Sequence, residues 1–257
     1  ALSKTKKAVL EEYEKDKTTP AKILCQKSGY SFYNTSKFDL KELLNDSEHI
    51  AANFKSYING FSANIKEIID NLSFSAEIDK MDKNNRLLGV IKDFSNLDLN
   101  PETISNHKMG YIFEDIIRRF SENAEAGDHF TPREVIKLMV DVLLSEGSDD
   151  LMAAGKTVTI LDAACGTGGM LSTARDAILK MNPDADIQLF GQEVNPESYA
   201  ICLADMMIKG QNANNIKFQD TMIKDSFEAT VNKPEQKMRY VIMNPPFGQP
   251  WGGKDAA

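Results

Sequence analysis

The stretch from residue 156 to residue 181 changes its hydrophobic period twice. Val158-Thr159-Ile160-Leu161 is a short buried-strand run, Asp162-Ala163-Ala164-Cys165-Gly166-Thr167-Gly168-Gly169 cannot continue it, and Met170 to Met181 repeats at helical spacing. Strand, glycine loop and helix in direct succession point to an α/β fold whose parallel strands gather ligands at their carboxyl ends. Glycines without side chains let a ligand approach the backbone closely, and the N-terminus of the following helix offers N–H groups with no helical partner. The spacing also selects among ligands. A dinucleotide fingerprint requires GxGxxG, whereas the third glycine position counted from Gly166 is Leu171, and no Walker lysine follows. A nucleoside without phosphates is the better fit, with an uncharged sugar and an amino-acid tail against the loop.

The next units extend this pattern. Ile187 to Gln192 reads as a second strand ending at Glu193, where a carboxylate can accept both hydroxyls of a ribose, and a helix follows from Pro196 to about Lys209. Ile216 to Gln219 is a third strand ending at Asp220, which can accept from the amino group of an adenine ring. The fourth, Tyr240-Val241-Ile242-Met243, runs into Asn244-Pro245-Pro246-Phe247. Consecutive prolines donate no backbone hydrogen bond, so the strand stops pairing there and projects Asn244 from its end. The Asn244 side-chain oxygen and the Pro245 carbonyl can both accept from a planar amine, with Phe247 available to stack. By itself the tetrapeptide reads equally as a Pro-Pro turn followed by a core phenylalanine. Any one of the acids taken alone is better read as a helix N-cap or a solvated loop residue, but suitable groups at four strand ends in order, Asp162, Glu193, Asp220 and Asn244, favour a single site.

Upstream, the first ~125 residues read as helices. Met109, Ile112, Phe113, Ile116, Ile117 and Phe120 share one helical face, while Glu114, Asp115, Arg118 and Arg119 fall elsewhere; the arginine pair could touch phosphate, but a solvated surface beside the acids is the better reading. Segments 47–59, 62–72 and 84–94 are also helical by pattern. A polar stretch at residues 121–129 marks a boundary, dividing a helical domain, 1–125, from an α/β domain, 126–257. Beyond it the helix-start signals agree: Thr131 as N-cap, Pro132 at the first helical position, Glu134 closing a capping box and Phe130 stapled to Val135. A purely structural reading suffices for those residues.

Composition excludes several classes. At 257 residues, 42% hydrophobic and 26% charged, the chain holds one large or two modest domains, and no apolar run approaches the ~18 residues of a membrane helix, so a cytoplasmic protein is expected. Cys25, Cys165 and Cys202 are too far apart in sequence for a CxxC metal or redox pair, and Cys165 and Cys202 read as small packing residues. A formal net charge of -8 is the wrong sign for a chain that binds DNA unaided. A nucleic-acid substrate would be held by a partner.

These motifs, over most of the chain, resemble the S-adenosylmethionine-dependent amino-methyltransferases of the adenine-N6 DNA class. The helical N-terminal region together with Phe130-Thr131-Pro132-Arg133, Asp162 to Gly169 and Asn244 to Phe247 resembles, within that class, the modification subunit of type I restriction-modification systems. The resemblance implies a Rossmann-like methyltransferase sheet preceded by an α-helical domain, and adenine-N6 methylation of DNA. It also implies a cofactor pocket that includes Asp128, His129, Phe130, Thr131, Pro132 and Arg133. Asp162, Gly166, Thr167, Gly168, Gly169 and Glu193 would contact the cofactor, the last residues holding its methionine and ribose parts, and Asp220 would meet its adenine. Asn244, Pro245, Pro246 and Phe247 would form the catalytic tip. Ala163 stands where the family usually has proline, and Asp128-His129 where glutamine and an aromatic are common. Implied partners are DNA, a specificity subunit that reads the sequence, a restriction subunit and a second modification subunit.

Two readings of other kinds stay open at this point. Asn-Pro-Pro-Phe is shared with RNA and protein-glutamine methyltransferases, and the chain could serve as a cofactor-binding assembly module. The sequence begins without methionine and stops soon after the fourth strand, so a sheet truncated in its C-terminal half is expected.

Overall fold

A computed structural model describes residues 2–123, 131–145, 149–153, 155–228 and 237–246, with only the backbone described at Ser3, His107, Arg118, residues 120–123 and residues 149–150. The chain forms two compact units, Ala1–Ser105 and Asn106–Ala257.

The first unit is helical: α1 (Leu2–Lys15), α2 (Ala21–Ser28), α3 (Ile50–Asn59), α4 (Ala63–Asn71), α5 (Phe74–Lys83) and α6 (Leu87–Ser95). Its core forms where helical spacing stacks apolar residues, with Ile50 and Phe54 of α3, Ile78 of α5 and Leu87 and Ile91 of α6 closing around Leu43. Helices α3, α4 and α6 fall within or close to the three segments predicted from pattern. Helix α5 lies between two of them and went unassigned. Phe74, Ile78 and Met81 carry its helical spacing and pack into the core, but Ser, Glu, Asp and Lys fill the intervening positions and mask it.

The second unit is the α/β part. It contains α7 (Asn106–Asn123), α8 (Arg133–Leu143), β1 (Thr157–Asp162), α9 (Gly169–Met181), β2 (Asp186–Glu193), α10 (Pro196–Ile208), β3 (Ile216–Phe218) and β4 (Tyr240–Val241). The strands form a four-stranded sheet in the order β3-β2-β1-β4 with all pairings parallel. Each predicted strand is present. The fourth is shorter than the apolar run 240–243, although the Ile242 N–H still reaches the Leu161 carbonyl at 2.9 Å. The chain winds outward from β1 through β2 to β3, and β4 then sits on the other side of β1. This reversal opens a crevice at the carboxyl ends of β1 and β4, where ligands bind in sheets of this kind.

Helix α7 packs against α10, so the second unit begins upstream of the polar stretch at 121–129. The face that α7 turns inward is rotated from the predicted one. Gly110 is buried and Phe113, Glu114 and Ile117 are half-buried, whereas Ile112 and Ile116 are exposed at 38% and 44%. Gly110 leaves room for the Lys209 side chain, which would lie 3.2 Å from a Cβ there, and Glu114, one turn further along α7, pairs with the same lysine. Among the described residues no helix is long and apolar enough to cross a membrane.

Candidate functional site

Because the strands are parallel and in close register, with Asp162 opposite Gly191 and Glu193 opposite Phe218, the ends of β1, β2 and β3 share one edge of the sheet. The loop from Ala163 to Gly168 leaves that edge and enters α9. Two glycines shape it by what they lack. Gly168 adopts φ +86° and a Cβ there would come within 2.9 Å of the Cys202 sulfur; at Gly191, on the neighbouring strand, a Cβ would come within 2.9 Å of the Cys165 sulfur. The thiols fill the space the glycines leave, with their sulfurs 4.0 Å apart and both residues buried. The Cys202 thiol and burial hold Cys165 well above the usual thiol range, as suits packing and not nucleophilic attack. The Cys165 N–H bonds the Gln192 carbonyl and the Gly168 N–H bonds the Cys165 carbonyl. The N–H groups of Thr167 and Gly169 meet no acceptor among the described residues; Gly169 is the first residue of α9 and Thr167 precedes its N-cap, Gly168.

Glu193 ties the loop to the second strand. Its Oε2 accepts from the Gly166 N–H at 2.7 Å and its Oε1 accepts from the N–H groups of Val194 and Asn195 at 2.9 and 2.7 Å. A carboxylate offers about four acceptor positions, so one hydroxyl can join at Oε2, and a second needs the Gly166 bond released. Asp162 is 1% exposed, and its carboxylate accepts from the Ala164 N–H at 3.1 Å. Burial, with a smaller contribution from the charge on Glu193, pushes Asp162 up to about 7 against the pull of the Ala164 bond.

Asp220 follows β3 and is half-buried, its Oδ1 accepting from the Met222 N–H at 2.8 Å. The turn it opens is held by Gln192, a buried amide on β2 that pattern reading passed over. Gln192 Nε2 donates to Thr221 Oγ1 at 3.1 Å and to the Lys224 carbonyl at 3.0 Å, while its Oε1 accepts from the Ser226 N–H at 2.7 Å. Every polar position of this side chain is engaged, so it acts as a buried cross-brace. Its signal in the sequence was a polar residue flanked by Gly191 and Glu193 at an inward strand position.

At the other side of β1 the tip is half-buried at Asn244, with Pro245 and Pro246 exposed. Asn244 Nδ2 donates to Thr131 Oγ1 at 3.0 Å. This bond corrects the capping reading. Helix α8 starts at Arg133, preceded by Pro132 with φ −55° and ψ 140°, and no side chain among the described residues caps it. Val135, the expected staple partner, is 45% exposed. Of the remaining sequence-predicted residues, Asp128, His129, Phe130 and Phe247 lie outside the described residues.

Arg133 pairs with an acid of α7. Its Nη2 meets Glu114 Oε2 at 3.1 Å, and it borders a cleft of about 700 Å³ among α7, α8 and α9 whose other lining residues were not predicted as site residues. The second oxygen of Glu114 meets the Lys209 ammonium, which also bonds Asp205 Oδ2 at 2.7 Å and Ser172 Oγ at 2.8 Å. Burial pushes Asp205 up and Lys209 opposes the shift. Glu114, Lys209, Asp205 and Ser172 form a polar cluster that the one-face reading of α7 did not anticipate.

Comparison with known proteins adds to this geometry. Residues 104–257 match the family model described as N-6 DNA Methylase, and residues 1–94 match the HsdM N-terminal domain. The chain is 25% identical over 220 residues to the EcoEI methylase subunit, a type I restriction enzyme subunit of Escherichia coli, covering 81% of this chain and 41% of that one. It is 26% identical over 186 residues to the type I MjaIX methylase subunit of Methanocaldococcus jannaschii, covering 71% of this chain and 30% of that one. The chain thus spans less than half the length of these relatives. Among solved structures, a type I restriction-modification system methyltransferase subunit from Streptococcus thermophilus aligns with a TM-score of 0.66 at 20% identity, over 92% of this chain and 50% of that one, a likeness of fold.

Proposed function

Because this chain belongs to the N-6 DNA methylase family, we propose that it carries the site that transfers a methyl group from S-adenosylmethionine to the N6 amine of adenine in DNA, within the modification subunit of a type I restriction-modification complex. The observation that carries this reading is the bond between Asn244 and Thr131. It brings the fourth-strand tip to the segment before α8, beside the strand whose glycine loop suits a nucleoside with an amino-acid tail.

The described residues fit such a cofactor. The N–H groups of Thr167 and Gly169 would face its methionine carboxylate, Glu193 a ribose hydroxyl through Oε2, and Asp220 the adenine amino group through its second oxygen. Asp162, balanced near neutrality, takes its charged form more readily once a positive ligand group lies close. When bound, S-adenosylmethionine supplies an electrophilic methyl on a sulfonium centre.

The tip deals with the nucleophile. An adenine amino nitrogen is a poor nucleophile because its lone pair is delocalised into the ring. Acceptance of its hydrogens by Asn244 Oδ1 and the Pro245 carbonyl would favour a more tetrahedral, electron-rich nitrogen. Reaching it requires flipping the base from the duplex, at a cost of a few kcal/mol, and stacking on Phe247 would return about 1 to 3 kcal/mol of this. The net charge of -8 agrees with a division of labour in which a specificity subunit grips and reads the DNA, with a second modification subunit and a restriction subunit completing the complex.

The test is incorporation of tritiated methyl groups by the full-length subunit, with and without co-expressed neighbouring subunits. Label in DNA, at adenine N6, is the expected result. Label confined to RNA or protein, or none in any assembly, would replace this reading with the corresponding alternative.

A further inference from the structure

Thr131 breaks a local rule. Thr131-Pro132-Arg133-Glu134 has the spacing of a capping box, and a threonine cap stabilises a helix by about 1 kcal/mol. Among the described residues that hydroxyl caps no helix N–H, and it accepts instead from Asn244 Nδ2, across 113 positions of sequence. Departures from local preference of this kind concentrate at functional sites. An asparagine amide has two chemically different ends, a donor at Nδ2 and an acceptor at Oδ1. An amine awaiting methylation presents hydrogens, so Oδ1 must face it. We propose that Thr131 is a positioning residue for methyl transfer, its hydroxyl taking Nδ2 of Asn244 and so turning Oδ1 towards the target amine. The proposal rests on the methyl-transfer reading above.

The segment that carries Thr131 is itself anchored by side chains. Arg133, two positions on, is tied through Glu114 to Lys209, whose side chain is 12% exposed. Lys209 in turn holds Ser172, in the first turn of α9 directly behind the glycine loop. Two cations and two carboxylates balance in this cluster, which satisfies the charge on Lys209 as burial demands. One polar cluster therefore braces both the loop and the residue that orients the tip.

The test uses the full-length subunit assembled with its partner subunits. Thr131→Val keeps the shape of the side chain and removes the hydroxyl, and should lower kcat for transfer to DNA about tenfold, the worth of one hydrogen bond. The calorimetric Kd for S-adenosylmethionine should stay within about twofold of the parent, which also reports that the fold is intact. Thr131→Ser should restore kcat to within about threefold. An unchanged rate in Thr131→Val, or a loss that appears as weaker cofactor binding, overturns the positioning role, the latter in favour of a direct cofactor contact. A parent complex that methylates no DNA overturns the methyl-transfer reading and this proposal with it.

Discussion

The two sides of the candidate site are held by different means. On the glycine-loop side, Asp162 and Glu193 are fixed by backbone N–H groups of Ala164, Gly166, Val194 and Asn195, all on the same or the adjacent strand and loop. On the tip side, Asn244 is fixed by one hydroxyl from a distant part of the chain. Geometry built from backbone follows from strand order and survives most side-chain exchanges. Geometry built from a side-chain bond depends on single atoms. Substitutions on the two sides should therefore separate binding from turnover, and the sharpest separation comes from the tip.

Asn244→Ala removes the acceptor that the amine needs while leaving the loop untouched. By analogy with the loss of one preorganised hydrogen-bonding group in an active site, kcat should fall on the order of a thousandfold. Cofactor Kd by calorimetry should stay near that of the parent. Unchanged turnover in the assembled enzyme would remove Asn244 from the chemistry and erase the contrast between the two sides.

Asp162→Asn probes the loop side through pH. The carboxyl of Asp162 titrates at about 7 in the folded chain, above its unfolded value. Between roughly pH 4 and 7 the folded state holds a proton that the unfolded state has lost, so stability falls as pH rises through this window and the loss is complete above it. Asparagine still accepts from the Ala164 N–H and carries no charge. Its advantage over the parent should be near zero at pH 4 and grow to on the order of 3 to 4 kcal/mol by pH 8. Denaturant unfolding at both pH values measures it, and a difference that does not change with pH would contradict a buried, proton-holding Asp162.

Glu193→Ala removes an anchor of the loop and the proposed ribose contact together. Loss of a charge-assisted bond predicts a cofactor Kd raised about thirtyfold, with kcat at saturating cofactor close to the parent value. A fall in kcat with Kd preserved would move Glu193 to the tip side of the comparison.

The same contrast explains what pattern reading could see. The strand ends and the glycine loop were legible because period and spacing report what a residue's near neighbours do, and the parts that hold this side are near neighbours. Gln192 was missed because a buried amide looks like a phase error until its partners at Thr221, Lys224 and Ser226 are known. Thr131 was read as a cap because Pro132 and Glu134 satisfy that motif locally, whereas its actual partner arrives with a later strand. The inward face of α7 was misjudged for a similar reason. Glu114 is charged and reads as solvent-facing, yet Lys209, 95 positions away, supplies the opposite charge that lets it turn inward.

Glu114 gives the smallest and most discriminating effect. Glu114→Gln keeps the size of the side chain and removes the charge that joins Lys209 to Arg133, while Lys209 retains Asp205 and Ser172. The Arg133 end is exposed, where such pairs contribute little stability, so kcat should fall only about threefold and cofactor Kd should not move. If Glu114 acts by holding the segment that bears Thr131, its effect must vanish once Thr131 no longer orients the amide. In a Thr131→Val background, Glu114→Gln should therefore cause no further loss, the non-additivity expected of residues that act in series. A threefold loss in both backgrounds would show that the cluster supports the site by some other route, and the tip would then rest on Thr131 alone.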